Sequence, residues 1–209
     1  YPPRGKGRTV GIPRSMYFYD RFPFWRAYFQ ELGFEIVISP RTDKKISVCG
    51  DELAIAQPCY PVKVAHGHVQ DLIDRGVDYV LVPNAVNAEA PANLPDSHLC
   101  PWNQTLPFVM RVVPQLENAR AKLLSPTVHF RFGRKHVEKE MAEFAKGLRI
   151  SRRASDRAVT AAYAAQGAFT EALQEAGAQA LARLRETGEP ALVLVGRPIM
   201  IWRGHSLAN

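Results

Sequence analysis

Short, almost uninterrupted apolar runs alternate with segments of helical periodicity along the first part of the chain. The apolar runs at 8–13, 34–39 and 77–83 predict β-strands, because they lack the alternating polar positions of a half-exposed strand. Between them, 22–33 and 62–76 place apolar side chains at helical spacing, and each ends at a glycine. This order predicts an open parallel sheet that helices cover on both faces.

The pattern continues with one more helix and one more strand before the composition changes. Residues 104–119 predict a helix with Pro107 near its start, and 121–126 predict a short fourth strand. From about residue 134 the chain is rich in Ala, Glu, Arg and Lys, which favours helix. We expect one amphipathic helix over 134–148 and a long helical tract over 155–188.

Within that long tract, Gly167 and Gly177 are the positions where we expect a bend. The stretch PALVLVGRP (190–198) then returns to a strand pattern. The stretches TVGIPR and LVGRPI both run from a predicted strand into Gly-x-Pro. Two related α/β lobes would show such a repeat. The sequence thus predicts an α/β lobe over 1–126, a helical segment over 127–189, and the first strand of a truncated second α/β lobe over 190–209.

Length and composition favour a globular chain. Its 209 residues are 46% hydrophobic and 22% charged, which leaves room for a sizeable core. No apolar run is long enough for a membrane span, and the N-terminal stretch lacks the apolar middle of a secretory signal. We therefore expect a cytoplasmic chain without a membrane partner. Its three cysteines are an odd number, which gives no disulfide framework and leaves the thiols available as ligands.

The basic excess suggests an anionic partner. The formal net charge is +7, and arginine and lysine gather at the N-terminus, at 131–135 and at 149–157. Such a surface attracts anions, including a nucleotide or coenzyme A. No RNA-binding or helix-turn-helix signature accompanies the charge, so we expect no nucleic-acid partner.

Cys59 stands directly before a predicted helix, in QPCYPVKVAHGHV (57–69). Pro61 fits the first helical turn, and the positive end of the helix dipole favours a thiolate there, as in a reactive or metal-bound sulfur. His66 and His68 are two residues apart and point in different directions, so they do not share one metal ion. We expect His66 to be a hydrogen-bonded, half-buried side chain rather than a direct ligand, and His68 to lie on the flank.

Cys100 repeats this arrangement in HLCPWNQTLP, where Cys-Pro precedes a helix after the third strand. Open α/β sheets bind ligands at the carboxyl ends of their strands, so both cysteines are expected to meet there. A structural role for each remains open, because isolated thiols are usually structural. The chain has no C-x-x-C, which argues against a self-contained four-cysteine site. Cys49 lies in a predicted polar loop and is not expected to be a ligand.

Four stretches, in order, carry a family resemblance: VGIPRSMYFYDRFPFWRAYFQELGFEIVIS, CYPVKVAHGHVQDLIDRGVDYVLVP, CPWNQTLPFVMR and VLVGRP. They resemble the domain attached to large acyl-CoA dehydratase activases, which is related to the cluster-binding subunits of 2-hydroxyacyl-CoA (2-hydroxyglutaryl-CoA-like) dehydratases. The resemblance implies a Rossmann-like open parallel sheet lobe of the α/β class. It also implies a [4Fe-4S] cluster held by three cysteines, with Cys59 and Cys100 as ligands.

The chain departs from the family where Ile199 follows Pro198, because the family continues there with a Tyr and a full second lobe. The third ligand is therefore unidentified, and whether the cluster forms in this chain is left open by the sequence. The resemblance further implies ATP-driven one-electron transfer to a system that acts on a CoA thioester. The partner is then an ATPase activase domain or a dehydratase subunit.

The residues limit the chain's own share of that chemistry. No Gly-rich phosphate loop opens the first helix, which favours an electron-transfer module over a complete enzyme. Arg14 is a candidate to bind phosphates or CoA, while Lys63 and His66 are candidate hydrogen-bond donors beside a cluster at Cys59. Two alternatives remain: a cluster-free domain that binds CoA or a nucleotide, and a docking domain whose partner surface is the helical tract 134–188.

Overall fold

The computed structural model describes residues 7–90 and 96–193. Its strands are β1 (Thr9–Ile12), β2 (Glu35–Ile38), β3 (Tyr79–Leu81), β4 (Asn84–Asn87), β5 (Leu123–Leu124) and β6 (Thr127–His129). Its α-helices are α1 (Phe18–Glu31), α2 (Lys44–Leu53), α3 (Tyr60–Asp74), α4 (Pro101–Val112), α5 (Arg134–Gly147) and α6 (Arg152–Thr187). Two 3-10 helices span Pro114–Lys122 and Phe130–Phe132.

The main sheet is parallel, with the strand order β2-β1-β3-β5. This confirms the predicted open parallel sheet. The strands β4 and β6 form a second parallel pair directly beyond the carboxyl ends of β3 and β5. Backbone hydrogen bonds from Val82 N to Leu124 O (2.8 Å) and from Asn84 N to Pro126 O (2.9 Å) join the two ladders. The β4–β6 pair thus lengthens the sheet beyond its carboxyl edge, on the side formed by β3 and β5.

Alternate strand residues face two different cores, one on each face of the sheet. The first core lies under α1, α5 and α6 and takes Val10, Ile12 and Leu81 from the strands. The second lies under α3 and α4 and takes Val80 and Val82. Because parallel strands buried on both faces need no polar alternation, this arrangement accounts for the continuous apolar runs of the sequence. The result is the Rossmann-like α/β fold that the sequence predicted.

The first core is built around the aromatic side chains of α1. Phe24, Trp25, Tyr28 and Phe29 are fully buried, and Phe24 meets the Trp25 ring edge-on at 5.1 Å. Tyr28 Oη lies 3.1 Å from Ser155 Oγ, and both residues are buried, so a hydrogen bond ties α1 to α6. The helix predicted over 22–33 is confirmed, and it begins four residues earlier than the apolar spacing indicated.

The helix predicted over 104–119 is wrong at both ends. The helix α4 begins at Pro101 and ends at Val112, and a 3-10 helix follows from Pro114. Pro114 lacks a backbone N–H and disfavours helical geometry at the residue before it. Val113 is accordingly extended, with φ −65° and ψ 119°. The fourth strand, predicted within 121–126, is confirmed as β5.

The polar loop predicted around Cys49 is also wrong, because these residues form α2. The Asp43 side chain caps this helix by accepting a hydrogen bond from Ile46 N at 2.9 Å. α2 packs tightly on α3 through Gly50 and Gly67. A Cβ on Gly50 would lie 2.3 Å from Lys63 O, so only glycine permits this approach.

The helical segment contains α5, as predicted, and the single long helix α6. The helix α6 continues without interruption through Gly167 and Gly177. Of the strand predicted over 190–198, residues 190–193 have no regular structure and 194–198 lie outside the described residues. The second lobe predicted over 190–209, and with it the division into three parts, stays a prediction. In the described ranges, no helix is long and apolar enough to cross a membrane.

Candidate functional site

The carboxyl edge of the sheet brings the two candidate cysteines to the same end of the domain. A helix that connects parallel strands runs back against them, so the N-termini of α3 and α4 both lie at this edge. The loop after β1 reaches the same place, because Tyr17 Oη donates a hydrogen bond to Asn103 O at 2.9 Å. Cys59, Cys100 and this loop therefore surround one end of the sheet.

Cys59 is the residue directly before α3, as the sequence predicted. Its backbone is extended, with φ −61° and ψ 153°, and its carbonyl accepts hydrogen bonds from Val62 N (3.0 Å) and Lys63 N (3.3 Å). The residue is exposed. The sulfur therefore lies at an accessible helix N-terminus, where backbone N–H groups and the helix dipole stabilise negative charge.

Cys100 has the same local structure at the start of α4. Its carbonyl accepts from Asn103 N (2.8 Å) and Gln104 N (3.1 Å), and the residue is partly buried. Burial raises the pKa of Tyr17, a hydrogen bond with the backbone of Ala85 lowers it, and the nearby charges of Asp20 and Cys100 raise it further. Sequence reasoning missed Tyr17 because the sequence carries no signal for this contact.

An apolar groove separates the first halves of α3 and α4. We call it the α3–α4 groove; its lining includes Ile55, Pro58, Val62, His66, Trp102 and Leu106. His66 Nδ1 donates to Val62 O at 2.8 Å, so Nε2 of the neutral ring carries a lone pair. This Nε2 is buried and has no hydrogen-bond partner among the described residues. Burial lowers the pKa of His66, which keeps the ring neutral.

The side chains of Lys63 and Arg14 are engaged elsewhere. Lys63 Nζ donates to Asp51 Oδ1 and Gln57 Oε1, each at 2.6 Å. Arg14 Nε donates to Ser39 O at 3.3 Å, where β1 and β2 end. The predicted roles of Lys63 beside a cluster and of Arg14 in phosphate or CoA binding stay predictions.

His68 and Cys49 complete the set of residues that the sequence singled out. His68 is fully buried rather than on a flank, because α2 covers that side of α3, and its Nε2 lies 3.0 Å from Thr42 Oγ1. Cys49 packs against the second core. Burial raises the pKa of the Cys49 thiol, and the charges of Asp74 and Glu52 add to the shift. A thiol held protonated in this way is a poor metal ligand.

The donor set at the carboxyl edge provides two sulfurs for a cluster. All three cysteines lie in the described residues, and none forms a disulfide. Within 7–90 and 96–193, neither Cys59 nor Cys100 joins two other His, Cys, Asp or Glu side chains whose ligand atoms all lie within 4.8 Å. A cluster does not need such close ligands, because each thiolate binds a different iron.

A second cavity lies at the switch point of the sheet, between the ends of β1 and β3. It is lined by apolar side chains that include Ile12, Met16, Leu81 and Met110. Its volume is about 20 Å³, which is room for about one water molecule. A nucleotide or the CoA adenine therefore does not fit inside this cavity.

Together, the three-layered fold and the paired helix-capping cysteines define a Rossmann-like α/β domain with two thiols at the carboxyl edge of its sheet. The chain belongs to the family described as the CoA enzyme activase uncharacterised domain, whose family model matches residues 9–204. This confirms the resemblance to an activase-associated domain. Searches of the curated proteins and of the solved structures found no match.

Proposed function

We propose that this domain is an iron–sulfur electron-transfer module of a 2-hydroxyacyl-CoA dehydratase and activase system. Cys59 and Cys100 would each ligate one iron of a [4Fe-4S] cluster, with a third ligand still to be identified. The observation that carries this proposal is the identical placement of the two cysteines. Each stands directly before a helix, at the same edge of one sheet.

The surroundings of the two cysteines suit an anionic group. Two helix N-termini direct positive potential and backbone N–H groups towards the edge, which stabilises the negative charge of a thiolate-ligated cluster. When bound, the cluster would supply one-electron transfer at a potential set by its charge, its exposure and hydrogen bonds to its sulfurs.

The chain's own side chains would shape that environment. The α3–α4 groove, which includes the partly exposed Trp102, limits water on one side. His66 offers a lone pair at Nε2, so it suits a hydrogen-bond acceptor or a ligand better than the donor role expected from the sequence. Tyr17 Oη donates a hydrogen bond to Asn103 O in the first turn of α4, and burial raises the pKa of the Tyr17 phenol, which stays protonated.

The proposed partner is an ATPase activase domain or a dehydratase subunit, which follows from the family to which the chain belongs. The module would take part in electron transfer between such a partner and the enzyme that reduces or dehydrates a CoA thioester. Nothing in the switch-point cavity suits a nucleotide, so the ATP chemistry is assigned to the partner.

Anaerobic reconstitution with iron and sulfide tests the proposal. We expect brown protein with about four irons and matching acid-labile sulfide per chain. Cys59→Ser and Cys100→Ser are each expected to lose most of this iron. Cys49→Ser is the matched control and should retain it, because Cys49 packs against the core. Iron that survives both edge substitutions, or wild-type protein that stays colourless, would overturn the proposal.

A cluster-free docking domain is the second candidate, and the outer face of α4 favours it. Phe108 and Val112 lie one helical turn apart and are 57% and 59% exposed. Large apolar side chains exposed together mark a partner surface. This candidate predicts colourless protein whose affinity for an activase or dehydratase subunit falls on Phe108→Ser and is unchanged by Cys59→Ser. Thermal-shift measurements with CoA esters and nucleotides separate it from a ligand-binding domain.

A further inference from the structure

Three chemically suited side chains, none of them a cysteine, converge at the junction between β6 and α5. His129 ends β6, and His136 and Glu140 lie one turn apart on the first half of α5. Their ligand atoms all lie within 4.8 Å of one another. None of the functional predictions from the sequence used these residues.

The Glu140 carboxylate is at the centre of this group. Its Oε1 lies 2.5 Å from His129 Nδ1 and 3.3 Å from His136 Nε2, and its Oε2 accepts a hydrogen bond from His129 N at 2.9 Å. That backbone contact fixes the orientation of the carboxylate, as the outer partners of metal ligands do. The Glu140 side chain is 17% exposed, against 27% for His129 and 42% for His136. The group is thus anchored and still open to solvent.

Phe132 fixes the two imidazole rings. It stacks on His129 with ring centroids 5.4 Å apart and an interplanar angle of 14°. It also meets His136 edge-on at 5.0 Å. The aromatic ring therefore limits the rotation of both histidines, so binding a metal ion would require little further ordering.

One of the two spacings that involve Glu140 Oε1 already matches a tetrahedral metal site. Bonds of about 2.0–2.2 Å from a central ion place ligand atoms roughly 3.3–3.5 Å apart. The observed 3.3 Å between His136 Nε2 and Glu140 Oε1 fits this value. The His129 Nδ1 to Glu140 Oε1 contact, a hydrogen bond in this structure, would open by about 1 Å as a metal ion replaces the shared proton.

We propose that His129, His136 and Glu140 bind a divalent transition-metal ion of the Zn²⁺ type, with water completing the coordination. Two imidazole nitrogens and one carboxylate oxygen suit zinc, cobalt or nickel, whereas magnesium and calcium prefer sites made of oxygen ligands. The site joins the end of the extended sheet to α5. It uses no cysteine, so it is independent of the proposed iron–sulfur function.

Titration of the whole chain with Co²⁺ and Zn²⁺ tests this site. We expect one equivalent of Co²⁺ to give visible bands of a tetrahedral nitrogen–oxygen site without a thiolate charge-transfer band. Glu140→Gln and His136→Ala should each weaken Zn²⁺ binding by about 10- to 100-fold or more, since losing only an outer partner already costs that much. Zn²⁺ should also raise the melting temperature of the wild type and not that of Glu140→Gln.

His98→Ala is the matched control. His98 is another exposed histidine paired with a carboxylate, Asp96, so its loss should leave the Zn²⁺ affinity unchanged. Equal Zn²⁺ affinities for the wild type, Glu140→Gln and His136→Ala would mean that the group is only a hydrogen-bonded cluster. A thiolate charge-transfer band that disappears in Cys59→Ser would place the metal at the cysteines. Either result overturns this site, and neither depends on whether an iron–sulfur cluster forms.

Discussion

His66 shows how burial fixes the state of one side chain. The residue is 1% exposed, Nδ1–H is held by Val62 O, and Nε2 lies in the apolar α3–α4 groove. Burial disfavours the charged imidazolium and lowers the pKa of His66 below its usual 6.5. Protonation is therefore tied to unfolding or to opening of the groove.

The pH dependence of stability follows from that shift. Because the folded pKa lies below the unfolded one, the full contribution is present above about pH 6.5 and is lost as pH falls towards the folded value. We expect His66→Phe to lose less stability than the wild type on acidification. Urea unfolding between about pH 7.5 and about pH 5 measures this difference.

Parallel losses of stability in the wild type and His66→Phe would contradict a neutral, buried His66.

Single residues were predictable only where local sequence determines their position. Pro61 marks the start of α3, so the placement of Cys59 just before that helix could be predicted, whereas the start of α4 at Pro101 was predicted three residues late. The surroundings of Tyr17 and the burial of His68 could not be predicted. They depend on contacts with Asn103 and Thr42, which are 86 and 26 residues away along the chain.

At the scale of elements, the contact between α2 and α3 sets the position of the helix that carries Cys59. A Cβ on Gly67 would lie 2.1 Å from Ile46 O, and one on Gly50 would lie 2.3 Å from Lys63 O. Both are backbone atoms, so the two helices would have to separate to accommodate a methyl group. The pair of glycines therefore determines the distance between the helices.

Alanine substitutions test this contact. We expect Gly67→Ala and Gly50→Ala each to lower the free energy of unfolding by about 1–3 kcal/mol or more, through overpacking against backbone. Gly177→Ala in α6 is the matched control, because nothing lies within 4 Å of its added Cβ. There alanine should stabilise the protein by about 0.5–1 kcal/mol.

Urea unfolding of the three glycine variants measures these changes. If Gly67→Ala were as stable as the wild type, the close approach of α2 and α3 would be wrong.

The contact between α2 and α3 also explains why α2 was not predicted from the sequence. The helix α2 is short, and its buried face consists of Ile46, Gly50 and Leu53, of which Gly50 contributes through its close packing on α3 rather than through an apolar side chain. The end of α4 has a local signal in Pro114, which acts on Val113, but the predicted helix over 104–119 ran past it. Elements fixed by backbone chemistry can be predicted, while those fixed by a partner helix cannot.

At the scale of the whole molecule, residues 7–90 and 96–193 form two cores and one extended sheet edge. The parallel sheet followed from the apolar runs, since burial on both faces leaves a direct sequence signature. The β4–β6 extension did not, because strands of three or four residues carry too little pattern. The extension ends at His129, and the edge it prolongs is the one at which α3 and α4 begin, directly after Cys59 and Cys100.

The central claim is that Cys59 and Cys100 hold one iron–sulfur cluster at this edge. Iron X-ray absorption on the anaerobically reconstituted chain tests it most directly, because it reports the neighbours of each iron. The account predicts sulfur neighbours and iron–iron scattering that persist in Cys49→Ser and vanish in Cys59→Ser and Cys100→Ser. Isolated iron with only nitrogen and oxygen neighbours, or iron–iron scattering in both edge variants, would contradict it.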